Sequence, residues 1–280
     1  MTTVTDDNVH CLAIEGSFDD CQAIVKDLFA DLEFKRERSL GAVNSVNWAR
    51  VLAQVVYYAY ASLQFDRPVS FCVPTGNFGN VFAGYLAKRM GFPIEKLVVA
   101  TNENDILARF FATGEYARGE VRFTHSPAMD IQVASNFERY LYYHLNQDAQ
   151  RVSEFMADFR AHGGARLDAP PNDGVIESTA VTNEQTASAI ADVYARTGYV
   201  ADPHTAIGMA AAERFAHLEP MVCISTAEPA KFPEVVDEAV GSAVARHPRL
   251  DALKGREGRR HVLPADQQAV RDFVEANIRR

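Results

Sequence analysis

The sequence predicts an α/β fold built on an open, mostly parallel sheet with helices on its faces. Short β-rich runs alternate with longer amphipathic stretches, the pattern of strands joined by crossover helices. Residues 69–73 are apolar but for Ser70, and 97–100 are apolar throughout, as in strands covered on both sides. A glycine-rich turn, Thr75-Gly76-Asn77-Phe78-Gly79-Asn80, joins the first of these runs to a helical stretch. With 280 residues, 48% hydrophobic and 23% charged, the chain can bury a substantial core.

The elements follow in order. Residues 10–14 read as a strand. Ser17 stands three residues before Asp20, an N-cap pattern that opens a helix towards Glu33. A second helix is expected over 47–64, with Val51, Leu52, Val55 and Leu63 on its buried face. The helix after the glycine-rich turn ends near Met90, where Gly91 and Pro93 stop it. Helices are expected over 103–113, 134–146 and 151–162, and residues 163–181 read as a loop. Thr182 and Gln185 form a capping box for a helix reaching Arg196. Asp202-Pro203 opens a helix towards His217. A strand over 221–225, a helix after Pro233 and a terminal helix over 263–280 complete the reading. A buried parallel strand at 10–14 needs neighbours, and about nine residues precede it, so Met1 is expected to be an internal methionine of a longer protein.

Bulk chemistry excludes several functions. A net charge of −9 argues against nucleic-acid binding, which needs a basic face. Cys11, Cys21, Cys72 and Cys223 are scattered, with no metal-ligand spacing and too few for a disulfide scaffold, so no metal and a reducing, cytoplasmic setting are expected. The N-terminus has neither a basic nor an apolar signal segment. The most apolar window, residues 51–63, is too short to cross a membrane.

The glycine-rich turn carries the chemistry. Glycines let a backbone approach an anion, and the N–H groups of a helix N-terminus point at it. The turn has neither the lysine of a P-loop nor dinucleotide-fingerprint spacing. Without a ligand the same residues make an ordinary βα turn. Val73-Pro74-Thr75-Gly76-Asn77-Phe78-Gly79-Asn80-Val81-Phe82-Ala83-Gly84 resembles the cofactor phosphate loop of threonine synthases, which are fold-type II pyridoxal-phosphate enzymes of the tryptophan synthase β-like fold. Further segments are similar to that family's landmarks, in the family's order. They are Asn44-Ser45-Val46-Asn47-Trp48-Ala49-Arg50, Ala100-Thr101-Asn102-Glu103-Asn104-Asp105, Ala128-Met129-Asp130, Ser135-Asn136-Phe137-Glu138, residues 198–205 and residues 225–232.

The resemblance implies a fold incomplete at its N-terminus, with residues 1–38 ending a small mobile domain and 39–280 forming most of a large cofactor-binding domain. It implies that Gly76, Asn77, Phe78, Gly79 and Asn80 hold the 5′-phosphate of pyridoxal phosphate, chiefly through backbone N–H groups. A β-carbon at Gly76 or Gly79 would obstruct that approach or force an unfavourable φ. Thr226 matches the residue that hydrogen-bonds the pyridine nitrogen; on its own it would read as a helix N-cap. Ser45, Asn47 and Arg50 are the candidate substrate-phosphate residues, Arg50 as a bidentate clamp. His204 reads as structural rather than as an acid or base.

The implied reaction converts O-phospho-L-homoserine and water to L-threonine and phosphate. Two departures stand against it. Glu228 occupies a position where the family usually has histidine. The family's Schiff-base lysine, in a Phe-Lys-Asp context, is absent, because lysines 26, 35, 88, 96, 231 and 254 stand in other contexts. The chain alone is therefore expected to be inactive. A related phospholyase, a non-catalytic binding protein and, less compatibly with residues 44–50 and 102–105, a dehydratase or cysteine synthase remain as alternatives.

Overall fold

The computed structural model describes residues 2–277. In chain order the elements are β1 (Leu12–Glu15), α1 (Phe18–Ala30), α2 (Leu32–Glu37), α3 (Trp48–Ser62), β2 (Val69–Pro74), α4 (Gly79–Arg89), β3 (Ile94–Thr101) and α5 (Ile106–Thr113). Then come β4 (Glu115–Ala117), α6 (Phe137–His144), α7 (Ala149–His162), β5 (Gly164–Arg166), β6 (Ile176–Ala180), α8 (Asn183–Thr197) and α9 (Pro203–Arg214). The chain ends with β7 (Met221–Cys223), α10 (Pro233–Val240), α11 (Pro248–Asp251), β8 (His261–Pro264) and α12 (Gln267–Asn277). Of the terminal helix expected over 263–280, residues 278–280 lie outside the described residues.

Two compact units emerge, residues 1–42 with 247–280, and residues 43–246. In the first, β1 pairs in parallel with β8, and Ile24, Leu28, Phe34 and Val270 form a small core. One of the neighbours that β1 needs thus comes from the far end of the chain. Residues 247–277, expected in the large domain, fall in the same compact unit as residues 2–42. Ser17 and Asp20 form the expected capping box, but Asp31 N-caps α2 and ends α1 at Ala30.

In the second unit the sheet order is β6-β3-β2-β7, all parallel. The inner strands are buried on both faces, yet their side chains still alternate. Phe71, Val73, Leu97 and Val99 join the core on the α4 side, with Val81 and Phe82, whereas Cys72, Val98 and Ala100 pack with Ile207 and Ala211 of α9. The chain leaves β2 through α4 towards β3, and reaches β7, on the other side of β2, from α9. The carboxyl ends of β2 and β7 therefore flank a topological switch point, where open α/β sheets bind ligands.

Residues 163–181, expected as a loop, contain two strands. β5 pairs antiparallel with β4, and β6 forms an edge of the parallel sheet. Helix α3 buries Val51, Val55, Tyr58 and Ser62, while Leu52 and Leu63, expected inside, are exposed. Among the described residues no helix is long and apolar enough to cross a membrane, and no metal-binding cluster occurs.

Candidate active site

The site grows from the end of β2. Thr75 still belongs to the sheet, its N–H donating to the Ala100 carbonyl at 2.8 Å. From there the chain turns through 76–78 into α4, whose first internal bond runs from the Phe82 N–H to the Phe78 carbonyl at 3.1 Å. Among the described residues, the N–H groups of Gly76, Phe78, Gly79, Asn80 and Val81 have no acceptor in the protein. Phe78 and Gly79 are buried. Buried amides without partners are costly, and a cluster of them at the N-terminus of an 11-residue helix is an anion cradle.

The side chains of the loop face away from that cradle. The Phe78 ring stacks on Phe111 and meets Phe137 and Tyr140 edge-on in the core. Tyr58 donates to the Asn80 Oδ1 at 2.7 Å, and burial holds the Tyr58 hydroxyl well above its ordinary pKa, so it stays a donor. Asn77 Oδ1 accepts from Ser135 Oγ at 3.1 Å. What remains for a ligand is backbone.

Neither Gly76 nor Gly79 has a positive φ; the left-handed position falls on Phe78, at φ 63°. The conformational reason expected for the glycines therefore gives way to a steric one. A β-carbon on Gly76 would lie 3.1 Å from both the Ala128 carbonyl oxygen and the Met129 Cα, and one on Gly79 would lie 3.2 Å from Asn136 Nδ2. Both glycines are needed for close packing of the loop on its floor.

Of the three expected substrate residues, Ser45 packs against the loop. A β-carbon on Gly79 would touch the Ser45 Cβ at 3.9 Å, and Ser45 Oγ lies 3.2 Å from Ser135 Oγ. Asn47 is the N-cap of α3, its Oδ1 accepting from the Ala49 N–H at 2.9 Å. Arg50 is exposed, and its Nη1 donates to the Val43 carbonyl.

At the end of β7, Thr226 lies three residues beyond Cys223, the register partner of Cys72 as Thr75 lies three beyond Cys72. Thr226 is not at the start of a described helix: the N-cap position of the short 3₁₀ turn Pro229–Lys231 is Glu228. Its side chain is exposed, and its N–H donates to Thr205 Oγ1 at 3.1 Å. Thr205 in turn belongs to a buried network that the spacing of residues did not show. Asp202 accepts from the His204 and Thr205 N–H groups and from the Thr205 hydroxyl. His204 Nε2 accepts from the Ala128 N–H at 3.3 Å, which places the ring proton on Nδ1, 3.0 Å from Asp202. Both ring nitrogens are thus occupied, a structural role for His204. Burial pushes the Asp202 carboxyl up, but donation from His204 and Thr205 outweighs it and leaves the pKa below the ordinary value.

A second polar cluster closes the end of β3. Asn102 Nδ2 donates to Asp130 Oδ1 at 2.7 Å, Asn104 Nδ2 to the same oxygen at 3.1 Å, and the Thr124 N–H to Oδ2 at 2.9 Å. Two of the landmark segments, around residues 102 and 130, therefore meet.

A family profile described as "Threonine synthase, C-terminal" matches residues 205–274. A threonine synthase of Pseudomonas aeruginosa is 47% identical over 98% of this chain and 60% of its own length. One of Schizosaccharomyces pombe is 44% identical over 86% of this chain and 54% of its own length. The crystal structure of a PLP-bound threonine synthase from Brucella melitensis superimposes with a TM-score of 0.86 at 45% identity, covering 100% of this chain and 62% of that one. The chain thus spans about three-fifths of the length of such relatives. With likeness in sequence over nearly all its residues, and in fold over all of them, the chain is similar to about three-fifths of a threonine synthase.

Proposed function

We propose that this chain is the cofactor-binding part of a cytoplasmic, pyridoxal-phosphate-dependent threonine synthase, whose whole converts O-phospho-L-homoserine and water to L-threonine and phosphate. The observation that carries this reading is the row of partnerless amides at Gly76, Phe78, Gly79 and Asn80, opening at a switch point beside Thr226. A phosphate monoester fits such a row, because it supplies three strong acceptors to donors that otherwise have none.

When bound, pyridoxal phosphate supplies an electron sink for negative charge developing on substrate carbon. The chain's own part is positional. The amides of 76–80 and the start of α4 hold the phosphate, and the Thr226 hydroxyl offers the ring nitrogen a neutral partner. Ser45, Asn47 and Arg50 are donors for the substrate's phosphate, Arg50 neutralising charge as it leaves. Proton transfer at carbon falls to a lysine outside this set. Lys88 is held on the Glu95 carbonyl at 3.1 Å and Lys96 on Glu177 at 3.2 Å, Lys254 binds Asp251 at 2.6 Å, and Lys35 lies over the Phe29 ring. Those engagements favour the second reading, a binding protein without turnover, for the chain by itself.

Titration of the chain with pyridoxal phosphate, followed by cofactor absorbance, tests the proposal. Saturable binding is expected, and no binding up to millimolar cofactor would sink it. Gly79→Val is expected to weaken that binding at least about tenfold, roughly 1.4 kcal/mol, since its branched side chain must displace Asn136 from under the loop. Circular dichroism serves as the folding control, and a folded variant with parental affinity counts against the cradle.

Arg50 is tested in the chain joined to the segment that its relatives carry beyond it. Arg50→Ala is expected to lower kcat/KM by about 1.5–3 kcal/mol, one charge-assisted phosphate contact, and to leave cofactor affinity unchanged. Unchanged kcat/KM would leave Arg50 a solvated side chain on the Val43 carbonyl.

A further inference from the structure

Asn136, fully buried where α6 begins, is the floor on which the phosphate loop rests. Its backbone N–H donates to the Asn77 carbonyl at 3.1 Å, and its Nδ2 donates to the same carbonyl at 3.0 Å. Nδ2 also donates to the Ser45 carbonyl at 3.0 Å. Oδ1 is buried and, among the described residues, has no partner, so the side chain acts through its donors.

This pairing has a geometric consequence. In a trans peptide the C=O and the following N–H lie in one plane and point in opposite directions. Two donors fixed on the Asn77 oxygen therefore fix the Phe78 N–H in the opposite direction, away from Asn136 and into the open row of amides. Phe78 follows at φ 63°, a conformation that a bulky side chain rarely adopts and that surrounding contacts must enforce.

We propose that Asn136 is a positioning residue for both phosphate subsites. By holding the Asn77 carbonyl it aims the Phe78 N–H at the cofactor's phosphate monoester, and by holding the Ser45 carbonyl it ties the 44–50 segment to the same brace. The proposal rests on the reading of 76–80 as the phosphate loop. Simple packing would predict that any side chain of similar size preserves amide direction. Donation predicts that an isostere without the NH₂ group does not.

The experiment uses the full ¹⁵N-labelled chain, titrated with pyridoxal phosphate and separately with inorganic phosphate, as parent and as Asn136→Asp. In the parent, the amide signals of Gly76, Phe78, Gly79 and Asn80 are expected to shift with both ligands. In Asn136→Asp, carboxylate oxygens face two carbonyls. The dissociation constant for pyridoxal phosphate is expected to rise at least about tenfold, and the Phe78 amide to stop responding, while Gly79 and Asn80, aimed by the helix itself, still shift at saturation. A variant with affinity within about twofold and a parental Phe78 response overturns the role of Asn136. If the parent itself does not bind, the phosphate-loop reading fails, and this inference falls with it. Asn136→Ala keeps the backbone donor and adds no charge. It carries the same readout, with the same expected and overturning results, if the aspartate variant does not fold.

Discussion

The purified 280-residue chain is expected to form no threonine from O-phospho-L-homoserine, even when saturated with pyridoxal phosphate. The lysines whose contacts are visible are engaged elsewhere: Lys96 with Glu177 on β3, Lys88 on the carbonyls where β3 begins, Lys254 with Asp251. The amide cradle lies beyond the other end of β2, at its carboxyl terminus. Placing a general acid–base group contributes about 10²–10⁴-fold, and ordinary enzymes turn over at about 1 s⁻¹ or faster. Phosphate release below about 10⁻² s⁻¹ is therefore expected, with cofactor binding retained. Joining the chain to the segment that its relatives carry beyond it should restore turnover. An enzyme-like rate from the chain alone, measured as released phosphate, would show that a lysine among the six completes the site.

The parts of the fold legible in the sequence are those where one local signal suffices. The run at 69–73, apolar but for Ser70 and β-branched at both ends, reads as a covered strand. Thr75 to Asn80 is recognisable because glycines sit between a strand and a helix, and the pairs Ser17/Asp20 and Thr182/Gln185 are capping boxes in the structure as in the sequence. Illegible parts depend on distant partners. β6, Ile-Glu-Ser-Thr-Ala, is half-buried along its length and is a strand because β3 lies beside it. β8 is mostly exposed and pairs with β1 across almost the whole chain. In α3, apolar residues lie nearly all round the helix, so no stripe singles out Tyr58 and Ser62 over Leu52 and Leu63.

The site divides in the same way. The anion cradle is a local property of residues 75–82 and could be found by eye. That Phe78 and not a glycine takes the left-handed backbone could not, since it is imposed by the ring's place among Phe111, Phe137 and Tyr140. Asn47 is polar in a polar segment, and the sequence does not show that its Oδ1 is also the N-cap of α3. Asp202 showed the opposite: its N-cap role was readable, while its reach to Ala128 and Thr226 was not.

Asp202→Ala is expected to be the most destabilising of the substitutions considered, by about 3–5 kcal/mol. The carboxylate is 1% exposed and takes four donors, the N–H groups of His204 and Thr205, His204 Nδ1 and the Thr205 hydroxyl. Loss of an N-cap costs about 0.5–2 kcal/mol, and each buried donor left unmatched costs about 1–3 kcal/mol. That sum is a large share of a typical total of about 5–15 kcal/mol. Asp202→Asn keeps an acceptor for the amides and should lose roughly half as much. The pH dependence follows from the lowered pKa of Asp202. Its contribution is complete above the ordinary carboxylate value, near pH 4, and is lost as pH falls through the lower folded value, so parent and Asp202→Asn should converge in strong acid. Urea unfolding at neutral and acid pH measures both effects. Hydrogen exchange adds a local readout, because the Thr226 and Ala128 amides hang on Thr205 and His204 and should lose protection together. An alanine variant within about 0.5 kcal/mol of the parent would reduce Asp202 to an ordinary exposed cap.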